Sequence, residues 1–233
     1  PSAFEEANGS GSGTYSADFG SSMDGSMSLS YGNSDLLGTG ISVAANYYPK
    51  LDGTTNNEKG SSTTDGSNAD SATSINVGIP LASLPVIGDT ALGGMKITAG
   101  YEESDQRITA GYGKVGGTVA VNLPIGPLSV GYQKKGYQAK ADAITDTSRA
   151  FYKDDVLGVA YAVNDSFAIS YNLYESVKHD HSAGNTEQET KAINIAYTVG
   201  GLTLGFQDAK TSNAAYSANT DDDTRTLSVK TAF

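Results

Sequence analysis

The chain has 233 residues, a formal net charge of -11 from 26 acidic and 15 basic side chains, 28 glycines, 14 tyrosines and no cysteine. This length suits one large domain or one barrel, the acidity argues against nucleic acid as a partner, and the missing thiols exclude disulfide frameworks and thiolate metal sites. There is no apolar run of about 18 residues and no export-signal pattern, which excludes a helical membrane protein and implies that any export signal has already been removed.

Residues 1–24 carry neither a helical nor a strand period. Gly and Ser dominate, Glu5, Glu6, Asp18 and Asp24 hold the charge, and Phe4, Tyr15 and Phe19 are apolar anchors. The stretch reads as a loop that packs against something and presents carboxylates; composition alone fits a disordered acidic terminus equally well.

Period-2 alternation begins next. Met27, Leu29 and Tyr31 mark a first strand, residues 33–39 a short turn, and Ile41, Val43, Ala45 and Tyr47 a second strand closed by Pro49. The polar tract 50–70 is a surface loop. Thr73, Ile75, Val77 and Ile79 alternate, residues 80–93 carry two prolines, and Met95, Ile97, Ala99 and Tyr101 form the next strand. Residues 102–117 are ambiguous, because RITAGYGKV from Arg107 can be a short strand or a folded loop.

The rhythm then steadies. Val119, Val121 and Leu123 precede a turn at 124–127 and Leu128, Val130 and Tyr132; after a polar loop at 139–150 come Leu157, Val159, Tyr161 and Val163. A turn at 164–167 leads to Phe167, Ile169, Tyr171 and Leu173, and residues 178–188 are polar loop again. Ile193, Ile195, Tyr197 and Val199 pass through Gly200 and Gly201 into Leu202, Leu204 and Phe206. Loop 212–223 returns to a last strand on which Leu227, Val229, Thr231 and Phe233 share one parity.

Only 38% of residues are apolar and mean hydropathy is -0.31. A polar average that hides alternating segments is what a lipid-outside, water-inside barrel produces, and short turns near 36, 125, 165 and 200 alternate with long polar loops near 60, 145, 183 and 217 as periplasmic turns and extracellular loops do. The 80–93 connection is the misfit, being long for a periplasmic turn. The expected fold class is therefore all-β, a transmembrane antiparallel up-and-down β-barrel with eleven strands, or twelve if 107–114 is a strand.

Several segments carry a family resemblance. The final Phe233 after alternating apolar residues resembles the terminal strand of Gram-negative outer-membrane barrels. PSAFEE at 1–6, TYSADF at 14–19 and YGNSDLLG at 31–38 resemble, in order and spacing, the constriction loop and following strands of the general diffusion porins, a sixteen-stranded trimeric family. The resemblance implies that residues 1–24 are the pore-constriction loop and 25–233 the last eleven strands, with five earlier strands, on the order of 90 residues, lying outside this chain. It further implies a water-filled channel for passive diffusion of ions and small hydrophilic solutes, integral to the outer membrane of a Gram-negative bacterium. A homotrimer, contact with lipid and lipopolysaccharide, no cofactor and no enzymatic activity go with it.

By the same resemblance Glu5, Glu6 and Asp18 stand at the constriction. Enteric members commonly have an Arg a few residues past the Y-S-x-D-F segment, where this chain has Met23 and Asp24. With Asp24 added, a mildly cation-selective pore is expected. Parity alone assigns the faces: Lys96, Asn122, Gln133, Lys135, Asn172, Gln207 and Lys230 toward the lumen, and Tyr101, Tyr132, Tyr161, Tyr171, Tyr197, Phe206 and Phe233 toward lipid.

Other constellations carry less. His179 and His181 in KHDHS are the only histidines and are not expected to form a metal site. Asp221, Asp222 and Asp223 read as a solvated acidic loop rather than a Ca²⁺ or lipopolysaccharide site. GSGSGT neither follows a strand nor opens a helix, and no nucleophile motif occurs. The competing function is a complete small barrel acting as an adhesin or autotransporter-like surface protein.

Overall fold

A computed structural model describes residues 28–49, 69–84, 90, 92–106, 114–139, 150–180 and 184–231. The strands are β1 (Leu29–Asn33), β2 (Ser42–Tyr48), β3 (Ala69–Pro80), β4 (Lys96–Gln106), β5 (Lys114–Ile125), β6 (Leu128–Ala139), β7 (Ala150–Asn164), β8 (Phe167–Asp180), β9 (Gly184–Val199), β10 (Leu202–Ser212) and β11 (Asp222–Thr231). They form one antiparallel sheet in simple chain order, β1 to β11. Among the described residues β1 and β11 do not pair with each other, so the sheet is an open meander rather than a closed ring.

Each strand follows from the alternation of its residues, and the hairpins follow from their turns. Between β9 and β10 the connection is Gly200 and Gly201, with φ of 54° and 83°. Positive φ at both central residues matches the right-handed twist of the flanking strands, and glycine reaches it without steric cost. Between β7 and β8 the Ser166 amide donates to the Asn164 side-chain carbonyl at 2.9 Å, a turn closed by a local side-chain acceptor. The 80–93 connection opens with a 3-10 turn at Leu81–Ser83 that buries Leu81 and ties the Leu81 amide to the Met95 carbonyl at 2.8 Å.

One sequence ambiguity narrows and one expectation changes. Among the described residues β4 pairs directly with β5, Ile97 opposite Val121, and the sheet has eleven strands, the first of the two counts expected; residues 107–113 lie outside the described residues. Much of the polar stretch 178–188 is strand, with β8 running to Asp180 and β9 starting at Gly184. Backbone ladders form equally well between polar residues, and apolar alternation marks only the part of a strand that meets an apolar medium. Glu5, Glu6, Asp18, Asp24 and Phe233 lie outside the described residues, as does the whole of the 1–24 loop.

The distribution of buried groups is inverted relative to a soluble domain. Among the described residues the largest fully enclosed side chains are Tyr174, Gln188, Thr211, Asp154 and Ser176, and the apolar cluster amounts to Ala192 with Ala209. Apart from Leu81 and Val156, the large aliphatic residues are half-buried or exposed: Val119 is 52% exposed and Val229 60%.

Candidate functional site

The register separates two faces. One row across the sheet runs Thr118, Lys135, Asp154, Ser176, Gln188, and a parallel row runs Lys96, Asn122, Gly131, Gly158, Asn172, Ala192, Ala209. This face is polar, and all five fully enclosed side chains lie on it. A single-layer sheet encloses side chains on one face by curling toward that face, so the polar face is the concave one.

All seven residues assigned to the lumen by parity, Lys96, Asn122, Gln133, Lys135, Asn172, Gln207 and Lys230, fall on this polar face. Gln133 donates to the Thr118 hydroxyl at 2.8 Å and Asn122 to the Ser129 hydroxyl at 3.4 Å. Asn172 and Gln207 are buried, and their side-chain amide nitrogens have no hydrogen-bond acceptor among the described residues. Both signs of charge lie on it: Lys96, Lys135, Lys178 and Lys230 share the face with Glu102, Asp154, Asp180 and Asp222.

The opposite face carries the assigned aromatics. Tyr101, Tyr132, Tyr161, Tyr171, Tyr197 and Phe206 all belong to the apolar parity and are exposed. Along six strands, β4, β6, β7, β8, β10 and β11, the apolar run stops where charge begins: Tyr101 then Glu103, Tyr132 then Lys134, Leu157 then Asp155, Leu173 then Glu175, Phe206 then Asp208, Leu227 then Arg225. The phenols reach back across that border, Tyr101 to Glu103 at 2.6 Å and Tyr132 to Asp155. Lys134 pairs with Asp155 at 2.9 Å and Arg225 with Asp208 at 3.4 Å. Apolar side chains below, amphipathic rings at the border and paired charges above is the profile of a surface that crosses from hydrocarbon to water.

One constellation escaped the sequence reading. At the long-loop end of the polar face the Asp154 carboxylate receives Lys135 at 3.3 Å and the Ser176 hydroxyl. Around it the rings of Tyr137 and Tyr152 stack at 4.7 Å, Tyr216 tilts against Tyr152 at 5.3 Å, and the Lys135 ammonium lies 5.6 Å from the Tyr174 ring centre. The signal was present: Tyr137, Tyr152 and Tyr174 have the parity opposite to the lipid-side aromatics. His179 is occupied with Asn185 at 3.0 Å and stacks on Phe151, and among the described residues no group of three metal-ligating side chains occurs.

Solved structures share this architecture. OmpT, expressed in the outer membrane of Vibrio cholerae, aligns with 92% of this chain over 70% of its own length, with a TM-score of 0.59 at 11% identity. The fold is that of an outer-membrane β-barrel. The trimer form of in-vitro folded OmpT from Vibrio cholerae aligns with 93% of this chain and 70% of its own, with a TM-score of 0.58 at 11% identity. A porin refined at 1.8 Å resolution aligns with 87% of this chain and 60% of its own, with a TM-score of 0.56 at 14% identity. No known protein family and no curated protein matches the sequence. In the outer-membrane barrel architecture the polar concave face is the interior and the aromatic convex face meets lipid.

Proposed function

We propose that this chain forms the wall of an outer-membrane general diffusion porin, a water-filled channel passing ions and small hydrophilic solutes without covalent chemistry or a cofactor. The observation that carries the reading is the inversion of the sheet, with Gln188, Thr211, Asp154 and Ser176 enclosed on the concave face and exposed aromatics on the convex one. The buried amides of Asn172 and Gln207 support it. An unsatisfied buried donor costs about 1–3 kcal/mol, and a wetted interior supplies the acceptor as ordered water.

Selectivity follows from the charges that face the channel. The described wall balances lysines against carboxylates, so the mild cation preference rests on Glu5, Glu6, Asp18 and Asp24 at the constriction. The trimeric state rests on the family resemblance and on the trimer form of OmpT. Reconstitution of the natively extracted protein into planar bilayers tests the reading. Stepwise ohmic conductance with a reversal potential shifted toward the cation potential is the expected result. A silent bilayer would favour the adhesin-like alternative, and an anion preference would remove the constriction roles.

A further inference from the structure

The connection between β10 and β11 does not stand away from the barrel. Its 3-10 turn Ala214–Tyr216 makes contacts with polar-face residues of β7, β8 and β9. The Tyr216 hydroxyl is 2.6 Å from the Ser176 hydroxyl, its ring rests on Tyr152, and the Ala215 amide donates to the buried Gln188 side-chain carbonyl at 3.0 Å. The Asn213 side chain adds a bond to the Glu187 carbonyl at 2.9 Å, and Ala214 is 2% exposed. All these anchors except the Glu187 backbone belong to concave-face residues.

The segment is also rigid by construction. Ala214 donates to Thr220 at 2.7 Å, Thr220 to Ser217 at 3.2 Å, and the Asn219 amide to the Asn213 side chain at 3.0 Å. Asn213, Ala215, Tyr216 and Asn219 have φ between 52° and 60°, the left-handed region. Alanine and tyrosine adopt it only at a steric cost, and such a conformation persists where its surroundings over-determine it. A solvated surface loop needs none of this.

We infer that residues 213–220 form a second constriction of the channel, latched onto the inner wall by Tyr216 and setting the size of solute that passes. The inference rests on the porin reading. The segment's anchors are on β7, β8 and β9. The exposed rim it presents, Ser217, Ala218 and Asn219, is small and uncharged, so the segment selects by cross-section rather than by charge. Beneath it the buried Asp154, paired with the half-buried Lys135, holds the Ser176 hydroxyl, and through Ser176 the latch.

The test compares natively extracted wild type with Tyr216→Ala and Tyr216→Phe, and with a variant in which residues 214–219 are replaced by two glycines. Single-channel conductance is read with uptake of neutral oligosaccharides of increasing length into vesicles. Wild-type channels with conductance about 1.5-fold higher in Tyr216→Ala, higher again in the shortened variant, and larger sugars admitted in both, is the expected outcome. Tyr216→Phe keeps the ring and loses the hydroxyl, so its conductance falls between. Wild-type channels with the same conductance and the same sugar cut-off in Tyr216→Ala and the shortened variant would overturn the inference and leave the porin reading intact. A wild type that conducts nothing removes both.

Discussion

Lys135 and Asp154 face each other across β6 and β7 with the ammonium nitrogen 3.3 Å from the carboxylate and the Asp154 side chain 1% exposed. Removing one partner of such a pair leaves the other enclosed without a countercharge. Lys135→Met strands that charge and should destabilise the barrel by about 3–5 kcal/mol, whereas Lys135→Met combined with Asp154→Leu recovers most of the loss. Urea unfolding in lipid vesicles measures both; equal instability in the single and double variants would mean the pair is not what holds this wall.

The two faces respond differently to the same residue. Val159→Arg, near the middle of the apolar run of β7, should cost about 2–4 kcal/mol because the guanidinium enters hydrocarbon. Asn122→Arg on the concave face should leave stability within about 0.5 kcal/mol and move the reversal potential toward anions. If Asn122→Arg destabilised as much as Val159→Arg, the assignment of the wet face would fail.

The turn between β9 and β10 offers a local test. Gly200→Asn keeps access to positive φ and should be nearly silent. Gly201→Val should cost at least about 1–2 kcal/mol, the steric cost of the left-handed region for an ordinary residue. Differential unfolding of the two variants in vesicles reads the contrast, and a silent Gly201→Val would show that the turn is not built on its positive φ of 83°.

Tyr216 gives the latch a pH dependence. Burial pushes its phenol above the ordinary 10.0, and the neighbouring Asp154 and Tyr152 push the same way, outweighing the Ser176 hydrogen bond. The charges and titratable groups around it are Tyr137, Tyr152, Asp154 with its partner Lys135, and Tyr174. The latched state therefore holds the proton more tightly than the released state, so the latch is intact below the released value near 10 and is lost as pH rises above it. Conductance should be flat between about pH 6 and 9 and rise above about pH 10. Tyr216→Phe should abolish the alkaline rise.

Much of this architecture was readable from alternation. Leu157, Val159, Tyr161 and Val163 could be placed on one face because a pleated strand forces period two, and Lys96 and Lys230 fell on the other by the same rule. Glu175 and Lys178 were harder. They sit where β8 leaves the apolar zone, so the hydropathy signal ends before the strand does, and residues 178–188 read as loop although both β8 and β9 extend into them. The Tyr216 contacts were illegible for another reason: an irregular connection has no period, and nothing in AAYS says that it turns inward onto Ser176, which is 40 residues earlier.

The near absence of an apolar interior has a thermal consequence. Heat capacity rises on unfolding mainly because buried apolar surface meets water. Here Ala192 and Ala209 are the apolar cluster of the described interior, while Ile193, Phe206 and Val229 already face outward before anything unfolds. If the outer surface stays in contact with lipid as the strands separate, little new apolar area is hydrated. The stability curve of this protein in a bilayer should accordingly be shallow, with weak curvature against temperature and no cold-induced loss of structure within the liquid range.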